Sequence, residues 1–224
     1  MSRCSASRAA AVAVAIPVAF LASSSARAVV VFDTITGATF TTGGYRVGEY
    51  PALAGETAPH DYRVATRFTL GGDALWQLNA IGVRIAADAD FGGAARARVW
   101  LAEAVDGGGP LTTYELGTVS TNATTPVTVA IEGLASMNIT MRGGSSYWLV
   151  LGSVPGDPDE TRFRWLRSSL GTLGTTYSDD LLTPAGYMLA DGRTPGMKVG
   201  ATLIPAPGAL AVLAMAGMAR RRRR

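Results

Sequence analysis

The sequence predicts an all-β protein: an antiparallel β-sandwich over residues 29–203, carried between two short apolar ends. Three observations lead there. Strand-like stretches recur along the middle of the chain at intervals of about ten residues, with turn residues between them. Gly occurs 27 times and Pro 11 times in 224 residues, with abundant Thr and Ser, as expected of many short elements joined by turns. Outside the two ends, no apolar stripe repeats with the 3.6-residue period of an amphipathic helix. The hydrophobic fraction of 48% can build one core, although much of it is Ala, which contributes little area per residue.

The chain opens on a leader. Residues 1–8 carry Arg3 and Arg8 and no acid, residues 9–22 are apolar, and Ala26-Arg27-Ala28 supplies small residues in an A-x-A arrangement. These are the three parts of a secretory signal peptide. The apolar run falls short of the ~20 residues of a comfortable membrane span, and Pro17 breaks its helix. Residues 1–28 are therefore expected to be cleaved after Ala28, leaving Val29 as the first mature residue. An uncleaved anchor is the alternative, and the body is exported in either case.

Residues 29–32 form a short β-branched run that can begin a sheet. Residues 36–48 mix Thr, Gly and aromatics, as a strand and turn would, and residues 49–61, with Pro51, Gly55 and Pro59, are expected to be a loop. Residues 63–70 (RVATRFTL) alternate at period two, with Val64, Thr66, Phe68 and Leu70 on one face. After the turn Gly71-Gly72-Asp73, residues 75–86 place Ile81, Val83 and Ile85 on one side and Arg84 on the other. Residues 94–103 set Arg96 and Arg98 opposite Ala97, Val99 and Leu101. Residues 88–93 and 106–110 read as connectors. Further strands are expected at 114–119, 126–131, 139–141, 147–151, 163–166 and 197–203. Of these, YWLVL at 147–151 has the continuous apolar run of a strand buried on both faces.

The formal net charge of +3 misleads. Arg3, Arg8, Arg27 and Arg220 to Arg224 lie in the two ends. Without them, twelve Lys and Arg face seventeen Asp and Glu, so the body carries −5. An acidic body repels phosphate backbones, which excludes nucleic acid as the partner that the basic total would imply. The only cysteine, Cys4, precedes the leader's apolar run, so the mature chain has no thiol for a disulfide, a nucleophile or a metal.

No catalytic constellation stands out, and no cofactor is implied. His60 is the only histidine, with Asp61 as its adjacent carboxylate, and a solvated loop position is its expected role. Zinc sites built from several His or Cys ligands are excluded by that inventory. Oxygen-ligated calcium has two weak candidate clusters, Asp88 with Asp90, and Asp157, Asp159 and Glu160, neither in a D-x-D-x-D-G loop. Paired acids for glycoside hydrolysis cannot be picked from seventeen carboxylates. Trp76, Trp100 and Trp165 are candidates for stacking on sugar rings, while Trp148 inside YWLVL is expected in the core. Trp100 shares the face of Arg96 and Arg98 and is expected to be exposed. Asn122 and Asn138 each begin an N-x-T triplet, which chance explains in a Thr-rich chain. Arg162, Arg164 and Arg167 are expected on a solvated strand face with acidic partners.

The tail, residues 204–224, reads IPAPGALAVLAMAGMARRRRR. Pro205 and Pro207 exclude helix or central strand, so an extended linker is expected there. Residues 208–219 are apolar and uncharged; as a helix they rise only ~18 Å against a hydrocarbon core of ~30 Å. Arginine stems that snorkel and a locally thinned bilayer allow a short transmembrane helix. Arg220, Arg221, Arg222, Arg223 and Arg224 would then stay on the cytoplasmic side.

This order resembles the PEP-CTERM sorting signal of bacteria, in which a Pro-Glu-Pro-like motif precedes a short transmembrane stretch and a basic cluster. Here the motif is Pro205-Ala206-Pro207, with Ala206 in place of the usual Glu. The resemblance implies cleavage near the motif by an exosortase, a membrane cysteine protease, and transient residence in the inner membrane. The body, over residues 65–85, 96–104 and 145–153, is similar in apolar pattern to choice-of-anchor ectodomains such as the R type. That likeness implies a jelly-roll-like sandwich without an enzymatic role. The function expected is a structural or adhesive component of the cell surface or extracellular matrix. A carbohydrate-binding module for exopolysaccharide is the alternative, and a glycoside hydrolase the third reading.

Overall fold

The structure, a computed structural model, describes residues 27–52, 59–88, 95–104, 114–153, 162–171, 176–180, 188–189 and 193–205. The expected leader and tail helices lie outside these residues. The strands are β1 (Val29–Asp33), β2 (Phe40–Tyr50), β3 (His60–Thr69), β4 (Leu75–Ala87), β5 (Ala95–Glu103), β6 (Tyr114–Thr121) and β7 (Val127–Ile131). They continue with β8 (Thr140–Arg142), β9 (Ser146–Gly152), β10 (Arg162–Ser168), β11 (Thr176–Asp180), β12 (Met188–Leu189) and β13 (Met197–Ile204). One 3₁₀ turn, Leu134–Met137, separates β7 from β8. Among the described residues the protein is all-β.

All thirteen strands belong to one hydrogen-bonded antiparallel sheet, with the path β1-β13-β4-β10-β2-β3-β9-β5-β6. The sheet nevertheless doubles back on itself. Phe32 of β1 packs its ring 5.3 Å from that of Phe68 on β3, although the path places four strands between β1 and β3. Side chains from β2, β3, β4, β5, β6, β9, β10 and β13 meet in a single core that includes fully buried Phe163 and Trp165. The result is sandwich-like, with a continuous backbone ladder running from one layer into the other.

β4 makes that continuity. Along one edge it pairs with β13 from Leu75 to Val83, then with β10 from Ile85 to Ala87. Its other edge takes β8 at Leu75–Gln77 and β7 at Ile81–Ile85. Between its two partners on the first edge sits Gly196, whose carbonyl accepts from the Arg84 N–H at 2.8 Å and from the Trp165 indole N–H at 3.0 Å. The Gly196 N–H donates to the Leu166 carbonyl at 2.8 Å, so no backbone group is orphaned where the strand changes partner. A β-carbon at 196 would lie 2.6 Å from Arg84 Cβ and 2.6 Å from Phe40 Cε1. Only glycine fits that crossing.

The alternation read from the sequence holds where it was clearest. Val64, Thr66, Phe68 and Leu70 are buried, as are Ala97, Val99 and Leu101, while Arg96 is exposed. The run at 147–151 is buried on both faces, because Ala65, Ala102, Trp148 and Val150 form a second, smaller apolar cluster on the outside of β3, β9 and β5. Two expectations fail. Residues 49–61 are not wholly a loop, since β2 runs to Tyr50 and β3 starts at His60, with Tyr50 opposite His60. β11 and β12 were not foreseen; β11 pairs with the backbone of β3 from Tyr62 to Thr66, a tertiary demand that leaves no periodic trace in its own sequence.

β1 and β13 bring the two ends of the body together. Val29 stands opposite Ala201 and Val30 opposite Gly200, so the chain enters β1 and leaves β13 at the same end. Asp33 closes β1: its carboxylate accepts from the N–H groups of Ile35 at 2.7 Å and Thr36 at 2.9 Å, and meets Lys198 Nζ of β13 at 3.2 Å. Partial burial opposes its ionisation, but the hydrogen bonds from Thr36, Ile35 and Lys198 outweigh it and hold the pKa at about 2.

Two outcomes are expected. Gly196→Ala should lower the unfolding free energy by about 1–3 kcal/mol in chemical denaturation, the usual cost of forcing atoms into a filled site. A folded-state pKa below the unfolded 3.8 makes the Asp33 contribution complete above about pH 4 and lost as pH falls through about 2. Thermal melts of Asp33→Asn and the parent should therefore converge across that window and differ above it.

Candidate functional site

His60 and Asp61 do not form a catalytic pair. They are consecutive on β3, so their side chains leave opposite faces of the strand. The His60 imidazole stacks on the Tyr62 ring, with centroids 5.2 Å apart and planes 9° from parallel. Asp61, buried, accepts the Ser153 hydroxyl at 2.8 Å. A nucleophilic serine needs a base between it and the carboxylate, and here the serine donates directly to the acid.

The arginines of β10 are tied down individually. Arg164 pairs with Asp88 at 2.9 Å, Arg162 Nε donates to the Glu49 carbonyl at 2.8 Å, and Arg167 Cζ lies 4.9 Å from the centroid of Tyr45. Beside them, burial, reinforced by the Asp88 charge, pushes the Tyr50 hydroxyl far above its usual range, and that hydroxyl donates to the Phe163 carbonyl at 3.0 Å. The Arg164 guanidinium thus occupies Asp88, half of one calcium candidate. Asp90, Asp157, Asp159 and Glu160 lie outside the described residues. Among the described residues, no group of three His, Cys, Asp or Glu side chains converges as metal ligands would.

The tryptophans do not make a stacking platform. Trp165 is a correction: at 0% exposure it is a core residue held by its bond to Gly196, because its side of β10 faces inward. Trp76 is half-buried against the same core. Trp100 does stand on the arginine face, but it is half-buried rather than exposed. Its ring lies over Gly152 and against the cluster of Ala65, Ala102, Trp148 and Val150 on the outside of β9. Trp148 is buried as expected, in that outer cluster, with Arg67 Cζ 5.9 Å from its ring centroid.

Of the residues expected to direct cleavage and sorting, Ala28 and Pro205 are described, and both are exposed outside strands. Ala26, Ala206, Pro207 and Arg220 to Arg224 lie outside the described residues. No helix among the described residues is long and apolar enough to cross a membrane. Asn122 and Asn138 are exposed, Asn138 at a left-handed φ of 53°.

A concave site of about 160 Å³ opens where β5, β6 and β9 approach β8, lined by Leu101, Glu103, Tyr114, Ile139, Thr140, Arg142 and Tyr147. Its geometry follows from register. Leu101 stands opposite Tyr114, and Glu103 opposite Tyr147. The Tyr147 hydroxyl accepts the Arg142 backbone N–H at 2.6 Å, which joins β9 to the end of β8. Arg142 in turn stands opposite Leu75, whose other neighbour is Ile204, so the site lies at the end where the tail leaves. Sequence reading missed every residue of this site. They come from β5, β6, β8, β9 and Ile139 just before β8, gathered by strand pairing rather than by any motif, and the one local signal is that Glu103 and Tyr114 flank the glycine-rich stretch 106–110.

No protein-family model matches the chain, and no curated protein matches it.

Proposed function

We propose that the chain is an exported cell-surface or extracellular-matrix protein with a jelly-roll-like ectodomain in a structural or adhesive role. Its C-terminal tail sorts it through an exosortase-type membrane protease, with the inner membrane as a transient station. The observation that carries the reading is the order of the last twenty-one residues: Pro205-Ala206-Pro207, twelve apolar residues at 208–219, then five arginines. That order is a stop-transfer signal by charge and hydropathy alone. The resemblance to PEP-CTERM tails adds the protease.

The β1–β13 register supports the same reading. Leader and tail attach at one end of the body, so both reach a membrane from one side without the ectodomain turning over. Val29, Val30, Leu75 and Leu203, exposed by 47, 52, 44 and 48%, place apolar side chains at that end. A structural role also suits a body whose His60, Asp61, Asp88 and Arg164 are engaged in internal contacts. Sugar recognition by stacked tryptophans loses support with Trp165 in the core, and a contact with polysaccharide has to rest on other residues.

Processing near Pro205-Ala206-Pro207 should appear in mass spectrometry of the exported protein as loss of Arg220 to Arg224; an intact terminus at Arg224 overturns it. Replacing Arg220 to Arg224 together with Gln should let the tail slip through the bilayer and raise the secreted fraction, read by immunoblot of medium against membranes. Unchanged retention would remove the stop-transfer role.

A further inference from the structure

We propose that the site between β5, β6, β9 and β8 binds one neutral hexopyranose unit of a surface polysaccharide. The size is the first argument. At about 160 Å³ the site has room for one small ring-sized unit and not for two. The lining is the second. Leu101 and Ile139, both buried, form an apolar floor, and Tyr114 and Tyr147 bring two aromatic rings to the walls. A pyranose has an apolar C–H face and a rim of hydroxyls, and the electron-rich face of an aromatic ring attracts such C–H groups.

The polar rim is the third argument. Glu103 offers only acceptors, Arg142 only donors, and the Thr140 hydroxyl both. Among the described residues, neither Glu103 nor Arg142 has an ion-pair partner, and the two do not pair with each other, so each is available to sugar hydroxyls. Their charges cancel, which leaves the site neutral inside a body of net −5. A uronate carboxylate would meet Glu103 and Arg142 alike, so the local charges offset and the acidic field of the body decides against it. Among the described residues Glu103 is the one carboxylate in the lining, where glycoside hydrolysis uses an acid pair.

The proposal deepens the polysaccharide contact considered above and is independent of tail processing, which mass spectrometry tests separately. The experiment is titration of the purified full chain in mild detergent with D-glucose, D-galactose, D-mannose and D-glucuronate, by calorimetry and by NMR shifts. At least one neutral hexose should bind saturably with a dissociation constant on the order of millimolar, and glucuronate more weakly. Glu103→Gln should weaken that binding about tenfold, as expected for loss of a charge-assisted hydrogen bond, and Tyr114→Ala about fivefold. Both residues are exposed, so circular dichroism should show the fold intact. Trp100→Ala, on the outer face, should leave binding unchanged. The proposal is overturned if no neutral hexose saturates, if glucuronate binds more tightly, or if Glu103→Gln and Tyr114→Ala bind as the parent does.

Discussion

The crossing at Gly196 is the contact on which the rest of the structure depends. A strand that exchanges one partner for another normally strands a backbone donor or acceptor, and a buried one costs about 1–3 kcal/mol. Here the Gly196 carbonyl serves two donors, Arg84 N–H and the Trp165 indole, while its N–H reaches Leu166. β4 can therefore pass from β13 to β10 with its ladder unbroken. That passage lets one continuous sheet surround one core. Trp165 sits at the same point, so the largest fully buried side chain is fixed by the hydrogen bond that joins the layers.

This arrangement also decides where function can reside. The inner face of the sheet packs the main core, and the outer face of β3, β9 and β5 packs the cluster around Trp148. The concave site lies instead at the end where β4 begins. Leu75 has Ile204 on one side and Arg142 on the other, so the exit of the tail and the rim of the ring-sized site share one end of the body.

The strands were legible because a half-buried strand must alternate. Val64, Thr66, Phe68 and Leu70 carry that period on β3, and Ala97, Val99 and Leu101 carry it on β5, and both sets are buried. β11 was illegible because it forms to satisfy the open edge of β3, a condition set by another segment of the chain. Period two sets Trp100 on the arginine face of β5, and the fold covers it there with the cluster around Trp148. Period two fixes which side a residue leaves, not what covers that side.

The sequence by itself determined the all-β class, the acidic balance of residues 29–203, the lack of any cysteine beyond Cys4 and the order of prolines, apolar run and arginines in residues 204–224. All of these are properties of composition or of neighbours along the chain. Only the tertiary structure decided that Trp165 is core, that Asp88 belongs to Arg164, and that Glu103, Tyr114, Thr140, Arg142 and Tyr147 face one cavity. Those facts depend on register between strands distant in sequence. Register is set by which ladder hydrogen bonds and buried faces can be satisfied at once, and no single stretch of the chain carries that information.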